Sequence, residues 1–250
     1  MSGHSKWANI KHKKARTDAQ KGKIFTKLGR EIIVAAKAGG DINTNFRLKV
    51  AVENARMANM PNDNIQRAIQ KGTGAIAAEL LEELRYEGYA PGGVAVMVDL
   101  VTDNRNRSAG EMRYIFSKNG GNLSEEGSVN WMFTRKGQIS VSKEGLVLSG
   151  DDFLMLALEA GALDIAEQEE TYEILTDADD MEKVLREILE NGVCAQEAQI
   201  NLIPTNLVEI ADIEQARKII KLLEALEEHD DVQKVSTNLE LADTLMTEDL

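Results

Sequence analysis

The sequence has few cysteines and no long apolar runs, and each shortage excludes a class of protein. The single cysteine, Cys194, excludes an internal disulfide and is typical of a reducing compartment, so we expect a cytoplasmic location. The longest apolar run, residues 94–101, is far shorter than the ~18 residues of a membrane-spanning helix. The first residues also lack the apolar segment of a secretory leader. We therefore expect no membrane partner.

Catalytic and cofactor motifs are missing as well. The sequence has no Gly-x-Ser-x-Gly, His-Glu-x-x-His, Walker A or paired Cys-x-x-Cys motif. Only three histidines occur, and His4 and His12 lack the cysteine or carboxylate neighbours of a metal site. His229 is explained as a charge at the end of an acidic helix, and Asp230-Asp231 as a capping and solubility feature. We therefore expect no enzyme activity, no cofactor, no metal and no small-molecule substrate.

Positive charge is concentrated at the start of the chain. Residues 1–30 contain nine Lys or Arg and one acid, Asp18, although the whole chain has a formal charge of −13. Residues 1–75 have a net charge of +10, whereas residues 76–250 have −23. Clustered cations repel one another unless they face a polyanion, and they release counterions when they bind nucleic acid phosphates. A frayed, merely soluble terminus is the alternative explanation.

The positive charge continues into a predicted helix. From Asp18 to Lys37, apolar residues recur at helical spacing, and at ~100° per residue Lys23, Arg30 and Lys37 fall together on the opposite side. Ahead of this helix, the ring of Trp7 could stack on an exposed base or could anchor the arm against the helix. We predict phosphate contacts from the cations and stacking or hydrogen bonding from the two rings. The predicted nucleic-acid-binding residues are Lys6, Trp7, Lys11, His12, Lys13, Lys14, Arg16, Lys21, Lys23 and Arg30.

Helical spacing dominates the first third of the chain. Residues 1–77 are predicted to form a basic arm and a small helical domain, with later helices over 44–58 and 62–71. The short connection between these two helices is similar to a helix-turn-helix, but the second of them has few side chains that could read bases. Those side chains are Gln66, Arg67, Gln70 and Lys71. This shortage favours ribosomal RNA, or DNA recognised by its shape, over DNA recognised by its base sequence.

The sequence after residue 77 predicts strands as well as helices. We therefore predict an α+β protein with three domains. Alternating apolar residues predict strands that include one over 129–133. A helix over 213–228 and a strand near 232–237 are left over after the βαββαβ unit described next, so we expect them to return to the first sheet. Residues 78–135 and 204–240 then form a discontinuous α+β domain. Residues 136–203 follow the order βαββαβ of a ferredoxin-like domain, which we expect to be inserted in the other. Residues 241–250 are predicted to be a loose acidic tail.

A polar loop over 102–107 is predicted to precede a helix over 108–118. Arg105 and Arg107 in this loop could contact phosphate. Because solvated loop residues need no such role, we favour the interpretation that they have none.

Several short motifs are distinctive as a set. The first is Gly3-His4-Ser5-Lys6-Trp7-Ala8-Asn9-Ile10-Lys11-His12-Lys13-Lys14. The others are Phe46-Arg47-Leu48, Met60-Pro61-Asn62-Asp63-Asn64-Ile65, Ala68-Ile69 with Lys71-Gly72, Tyr86-Glu87-Gly88-Tyr89 with Pro91-Gly92-Gly93, and Asp103-Asn104-Arg105-Asn106-Arg107. With these motifs, the sequence resembles the YebC/PmpR family of bacterial proteins over essentially its full length. The same family includes the mitochondrial translational activator of cytochrome oxidase subunit I.

The resemblance implies a helical N-terminal domain and two α+β domains, one of them ferredoxin-like and inserted in the other. Family members are described as probable transcriptional regulators that bind DNA, and others as ribosome-associated factors that help translation through difficult stretches. We therefore expect a regulator of gene expression that binds DNA through its basic N-terminal domain. The alternative is a factor that binds ribosomal RNA on the ribosome and relieves stalled elongation. A third hypothesis is a protein-interaction scaffold that uses the acidic ferredoxin-like unit.

Overall fold

The structure is a computed structural model that describes residues 18–77 and 80–245 and combines helices with mainly antiparallel sheets, which confirms the predicted α+β class. Its helices are α1 (Asp18–Ala36), α2 (Phe46–Met57), α3 (Asn62–Gly72), α4 (Arg105–Lys118), α5 (Gly150–Ala160), α6 (Met181–Glu190) and α7 (Ile213–Glu227). Its strands are β1 (Glu82–Tyr89), β2 (Ala95–Thr102), β3 (Asn122–Ser124), β4 (Phe133–Ser142), β5 (Asp164–Glu167), β6 (Thr171–Asp177), β7 (Ala195–Pro204), β8 (Val208–Ile210), β9 (Val232–Thr237) and β10 (Leu239–Leu241). Within the described ranges, no helix has both the length and the apolar character needed to span a membrane.

The first three helices pack around a small apolar core. Ile32 of α1, Leu48 of α2 and Ile65 of α3 are almost fully buried in it, and each such side chain contributes about 1.5–3 kcal/mol. Asn45 fixes the corner between α1 and α2, because its side chain accepts from the N–H of Leu48 at 3.0 Å and donates to two carbonyl groups at the end of α1. At Gly72, a Cβ atom would lie 2.3 Å from a backbone oxygen of α1, so glycine permits the close approach of α3.

The first sheet has the strand order β3-β1-β2-β9, and all of its neighbouring strands are antiparallel. Helices α4 and α7 cover one of its faces, where Phe116 and Leu223 meet Val98 in a common core. β9 comes from the far end of the chain, and it pairs with β2 from Val96 opposite Thr237 onward. The apolar run of β2 is therefore central in this sheet.

The second sheet has the order β5-β6-β4-β7, again antiparallel throughout. With α5 and α6 on one face, its elements follow the order βαββαβ, and Phe153, Ile174 and Ile188 are fully buried between the layers. The two sheets meet through a separate apolar cluster, in which Phe133 and Met97 take part.

The predicted strand over 129–133 is wrong for all but its last residue. Residues Asn130–Met132 form a short 3₁₀ helix, and β4 begins only at Phe133. The buried carboxylate of Glu87 explains the difference, because it accepts hydrogen bonds from the N–H groups of Gly127, Val129 and Asn130 at 2.7–3.0 Å. Burial alone would raise the pKa of Glu87, but these three donors lower it below its ordinary value. N–H groups used in this way are not available to a neighbouring strand.

The predicted loose tail is also wrong for residues 241–245. Leu241 and Leu245 are 1% and 6% exposed and belong to the core of the first sheet domain. β10, which ends at Leu241, pairs in parallel with β8 and thereby holds this segment. Residues 246–250 lie outside the described residues.

The predicted loop over 102–107 is shorter than expected. α4 begins at Arg105, three residues before the predicted start, because the side chain of Asn104 accepts from the N–H of Arg107 at 3.1 Å and caps the helix.

Candidate nucleic-acid interface

The structure describes only part of the predicted interface. Seven of its ten residues lie outside the described residues: Lys6, Trp7, Lys11, His12, Lys13, Lys14 and Arg16. Lys21 lies within α1, but its side chain is outside what the structure describes. The two predicted residues with described side chains, Lys23 and Arg30, are both on α1.

The cations of α1 contact the carboxyl end of α7. Lys23 donates to the backbone oxygen of Glu228 at 3.2 Å, and Lys27 donates to that of Glu227 at 2.5 Å. The last carbonyl groups of a helix have no partner within the helix and carry partial negative charge, so they attract ammonium groups. This side of α1 therefore lies against another domain of the same chain.

Arg30 is held more firmly than the lysines. Its guanidinium donates to the Asp231 carboxylate at 2.8 Å and to the backbone oxygens of Asp230 and Val101 at 2.7 and 3.2 Å. Its side chain is 20% exposed. Lys37, which was predicted to share this side of the helix, donates to the backbone oxygen of Leu81. Arg30 and Lys37 both donate to oxygens of the same chain, and Lys37 remains exposed, so their contact with a partner molecule stays a prediction.

Asp231 is the centre of the contact and lies in the turn between α7 and β9. Its second carboxylate oxygen accepts from Ser108 at 2.8 Å, from Thr102 at 3.0 Å and from Arg107 at 3.2 Å. Burial by itself would raise the pKa of this carboxyl, but its four side-chain donors lower the pKa to about 2. The ionised carboxylate thus joins α1, β2, α4 and the start of β9.

Glu111, His229 and Asp231 form the group among the described residues that could hold a metal ion, with ligand atoms within 4.8 Å of one another. The ligand atoms of His229 and Asp231 are already hydrogen-bonded within the protein. His229 accepts from the N–H of Asp231 through Nδ1 at 3.1 Å, and its Nε2 lies 2.8 Å from Glu111. Arg30 and Arg107 bring two more positive charges to Asp231. These three side chains are therefore better suited to a hydrogen-bond network than to binding a divalent cation.

An open pocket of about 370 Å³ lies beside this network. It is lined by Lys23, Arg30, Arg107, Glu111, Glu228, His229, Asp230 and Asp231. Four acids face three Lys or Arg here, so the pocket offers no excess of positive charge to a phosphate.

The predicted base readers are placed on an open surface. Gln66, Arg67 and Gln70 are exposed on α3, whereas Lys71 is half-buried. Ile65 and Ala68 turn the opposite side of α3 into the core. The exposed readers are thus few and mostly uncharged.

The comparisons with known proteins identify the family. Residues 5–75 match the model of the TACO1/YebC protein N-terminal domain, and residues 81–239 match that of the TACO1/YebC second and third domain. The chain belongs to the TACO1/YebC family. A probable transcriptional regulatory protein of Desulfitobacterium hafniense (strain DSM 10664 / DCB-2) is 62% identical, with all of both chains covered. One from Syntrophomonas wolfei is 51% identical and covers 98% of this chain and 99% of its own.

A solved structure has the same fold. The crystal structure of a conserved hypothetical protein from Aquifex aeolicus matches with a TM-score of 0.87 at 48% identity, covering 98% of this chain and all of the other. The predicted membership of the TACO1/YebC family is therefore confirmed by sequence and by fold.

The contact centred on Asp231 is the part of this TACO1/YebC chain that sequence reasoning missed. The Asp230-Asp231 pair was explained by capping and solubility, which is wrong for Asp231 because that residue is 3% exposed. The available signal was the family motif that contains Arg107, because Arg107 donates to Asp231 and also to Asp103 of the same motif.

Proposed function

We propose that the protein is a non-enzymatic regulator of gene expression that binds DNA through its basic N-terminal domain and acts on transcription. The observation that carries this proposal is the division of charge, with +10 in residues 1–75 and −23 in residues 76–250. A positive segment attracts a phosphate polymer, while the acidic remainder avoids non-specific contact with it. Relatives that are 62% and 51% identical are named probable transcriptional regulatory proteins, which supports the proposal.

The contacts of α1 narrow the set of residues that would bind phosphate. Arg30 donates three hydrogen bonds within the protein, and release of these bonds would cost free energy. We therefore assign the main phosphate contacts to the arm cations, such as Lys13 and Lys14. Exposed Arg67 on α3 adds a further contact.

Two strongly hydrogen-bonded carboxylates support the proposal that the protein is not an enzyme. Asp231 and Glu87 both have lowered pKa values, and both accept hydrogen bonds that hold helices and loops together. A general acid or base at neutral pH needs a pKa closer to 7, so these groups are suited to a structural role.

DNA binding is tested by titrating labelled duplexes with the wild type and with Lys13→Glu/Lys14→Glu at ~0.15 M salt. The control is Lys183→Glu/Arg186→Glu, which makes the same charge change on the exposed side of α6. The arm variant should lose about tenfold or more in affinity, because counterion release falls with each lost phosphate contact. The control should stay within about twofold of the wild type. A promoter fragment should also be retained against competitor DNA, and equal affinity for all duplexes would contradict a role at particular promoters.

A second candidate is a ribosome-associated factor that binds ribosomal RNA and relieves stalled elongation. The shortage of exposed base readers on α3 favours it, because sequence-specific DNA binding usually needs several such side chains in the major groove. If this second candidate is correct, the wild type should co-sediment with ribosomes, and the Lys13→Glu/Lys14→Glu variant should not. Ribosome profiling beside transcript levels, in a strain that lacks the protein, distinguishes the two candidates. Altered pausing with unchanged transcripts would favour this second one.

A further inference from the structure

Helix α4 has an outward side that its packing does not use. The helix buries Ser108, Met112 and Phe116 against the first sheet and α7. The opposite side is exposed to solvent, and it is mostly polar or basic. Its exposed residues are Arg105, Asn106, Arg107, Gly110, Arg113, Tyr114, Ser117 and Lys118. We call this surface the outer side of α4.

The outer side of α4 is positive within the acidic part of the chain. Residues 104–119 contain four Lys or Arg and a single acid, Glu111, which lies 2.8 Å from His229. Arg107 is paired with Asp231 and its neighbours, but no ion pair is found for Arg113 or Lys118 among the described residues. Unpaired cations of this kind repel each other unless a polyanion approaches.

Tyr114 lies in the middle of these cations. Its side chain is 62% exposed, so it adds little to the core. The ammonium of Lys118, one helical turn away, lies over one face of the ring, 5.5 Å from its centroid. An unpaired base can stack on the other face of such an exposed ring, while the neighbouring cations neutralise its phosphates.

We propose that the outer side of α4 binds an unpaired strand of RNA, with Arg113 and Lys118 on its phosphates and Tyr114 stacked on a base. A duplex keeps its bases stacked inside, whereas the loops and ends of RNA expose theirs, which is why the proposal is restricted to single-stranded RNA. The proposal rests on the proposed function to the extent that the protein binds nucleic acid, and it adds a site outside the N-terminal domain.

The test is fluorescence anisotropy with a single-stranded oligoribonucleotide of mixed sequence and a duplex DNA of equal length. Tyr114→Ala should weaken RNA binding about fivefold or more, whereas Tyr114→Phe, which keeps the ring, should bind like the wild type. Arg113→Glu/Lys118→Glu should weaken RNA binding about tenfold and reduce the salt slope by about 1.4, the value for two lost single-strand phosphate contacts. The matched control is again Lys183→Glu/Arg186→Glu.

The outcomes distinguish the inference about α4 from the proposed function of the N-terminal domain. RNA affinity of the α4 variants at the level of the control, together with a loss of duplex DNA affinity in Lys13→Glu/Lys14→Glu, would overturn this inference and leave the proposed function intact. A loss of RNA affinity in the α4 variants, with unchanged duplex DNA affinity in the arm variant, would support the inference and contradict the proposed role of the arm. If duplex DNA binding fell as much as RNA binding and Tyr114→Ala had no effect, the assignment to unpaired RNA would be wrong.

Discussion

Helices α1 and α4 both carry cations on one side, and the two sets of cations have different partners. On α1, Lys23, Lys27 and Arg30 donate to the end of α7 and to Asp231. On α4, Arg113 and Lys118 have no ion-pair partner among the described residues. A basic stripe in a sequence therefore predicts an anionic partner, but that partner can be the carbonyl groups of a helix end in the same chain. The comparison separates cations that hold the fold together from cations that are open to another molecule.

The largest expected effect follows from removing the centre of the α1 contact. Asp231→Ala leaves two guanidinium groups and two hydroxyl groups without their shared acceptor, and loss of one partner from a buried charge pair costs about 3–5 kcal/mol. Urea unfolding should show this loss. Asp230→Ala is the matched control, because only the backbone oxygen of Asp230 accepts a hydrogen bond from Arg30. Equal stability of the two variants would contradict the role given to Asp231.

Replacement of Arg30 tests the same contact from the other side. Arg30→Met keeps the apolar stem but removes three hydrogen bonds, so we expect a loss of about 2–3 kcal/mol in the free energy of unfolding. Arg67→Met, on the exposed side of α3, should change stability by less than about 0.5 kcal/mol. If Arg30→Met lowered nucleic-acid affinity without a change in stability, Arg30 would be a phosphate contact, as the sequence predicted, instead of a structural one.

The stability of the contact should depend on pH in a defined direction. The pKa of Asp231 is about 2 in the folded protein and 3.8 in the absence of these contacts. A lowered pKa contributes stability that is present above the unfolded pKa and is lost as the pH falls through the folded value. The difference in unfolding free energy between the wild type and Asp231→Asn should therefore shrink by about 2 kcal/mol between about pH 5 and about pH 2. A difference that is constant over this range would contradict the ionised state of Asp231.

Periodic features of the fold could be predicted from the sequence, and contacts between distant side chains could not. The apolar spacing of α1 places Ile32 on the buried side of the helix, and the strand predicted near 232–237 has the bounds of β9. The alternation of apolar residues was misleading over 129–133, because the carboxylate of Glu87 takes the N–H groups that a strand would need. Periodicity reports which side of an element is apolar, but it does not report what the polar side contacts.

The candidate site was less predictable than the fold for the same reason. Asp231 meets Arg30, which is 201 positions away in the chain, and Ser108, which is 123 positions away. A contact between single polar residues so far apart in the chain produces no periodic pattern in the sequence. The exposed ring of Tyr114 had no signal either, because an aromatic residue in an amphipathic helix is usually counted toward the core. The solvent exposure of a single ring becomes known only from the packing.

The smallest expected effect on stability concerns the exposed side chains of α4. Arg113→Glu/Lys118→Glu and Tyr114→Ala change exposed side chains that form no ion pair among the described residues, so each should alter the free energy of unfolding by less than about 0.5 kcal/mol. Urea unfolding beside Asp231→Ala gives the contrast directly. A loss above 1 kcal/mol in the α4 variants, on the order of a buried hydrogen bond, would show that these side chains also support the fold. Unchanged stability combined with weaker RNA binding would instead separate two sets of cations by function. Lys23, Lys27 and Arg30 of α1 would maintain the domain contact, and Arg113 and Lys118 of α4 would bind the RNA.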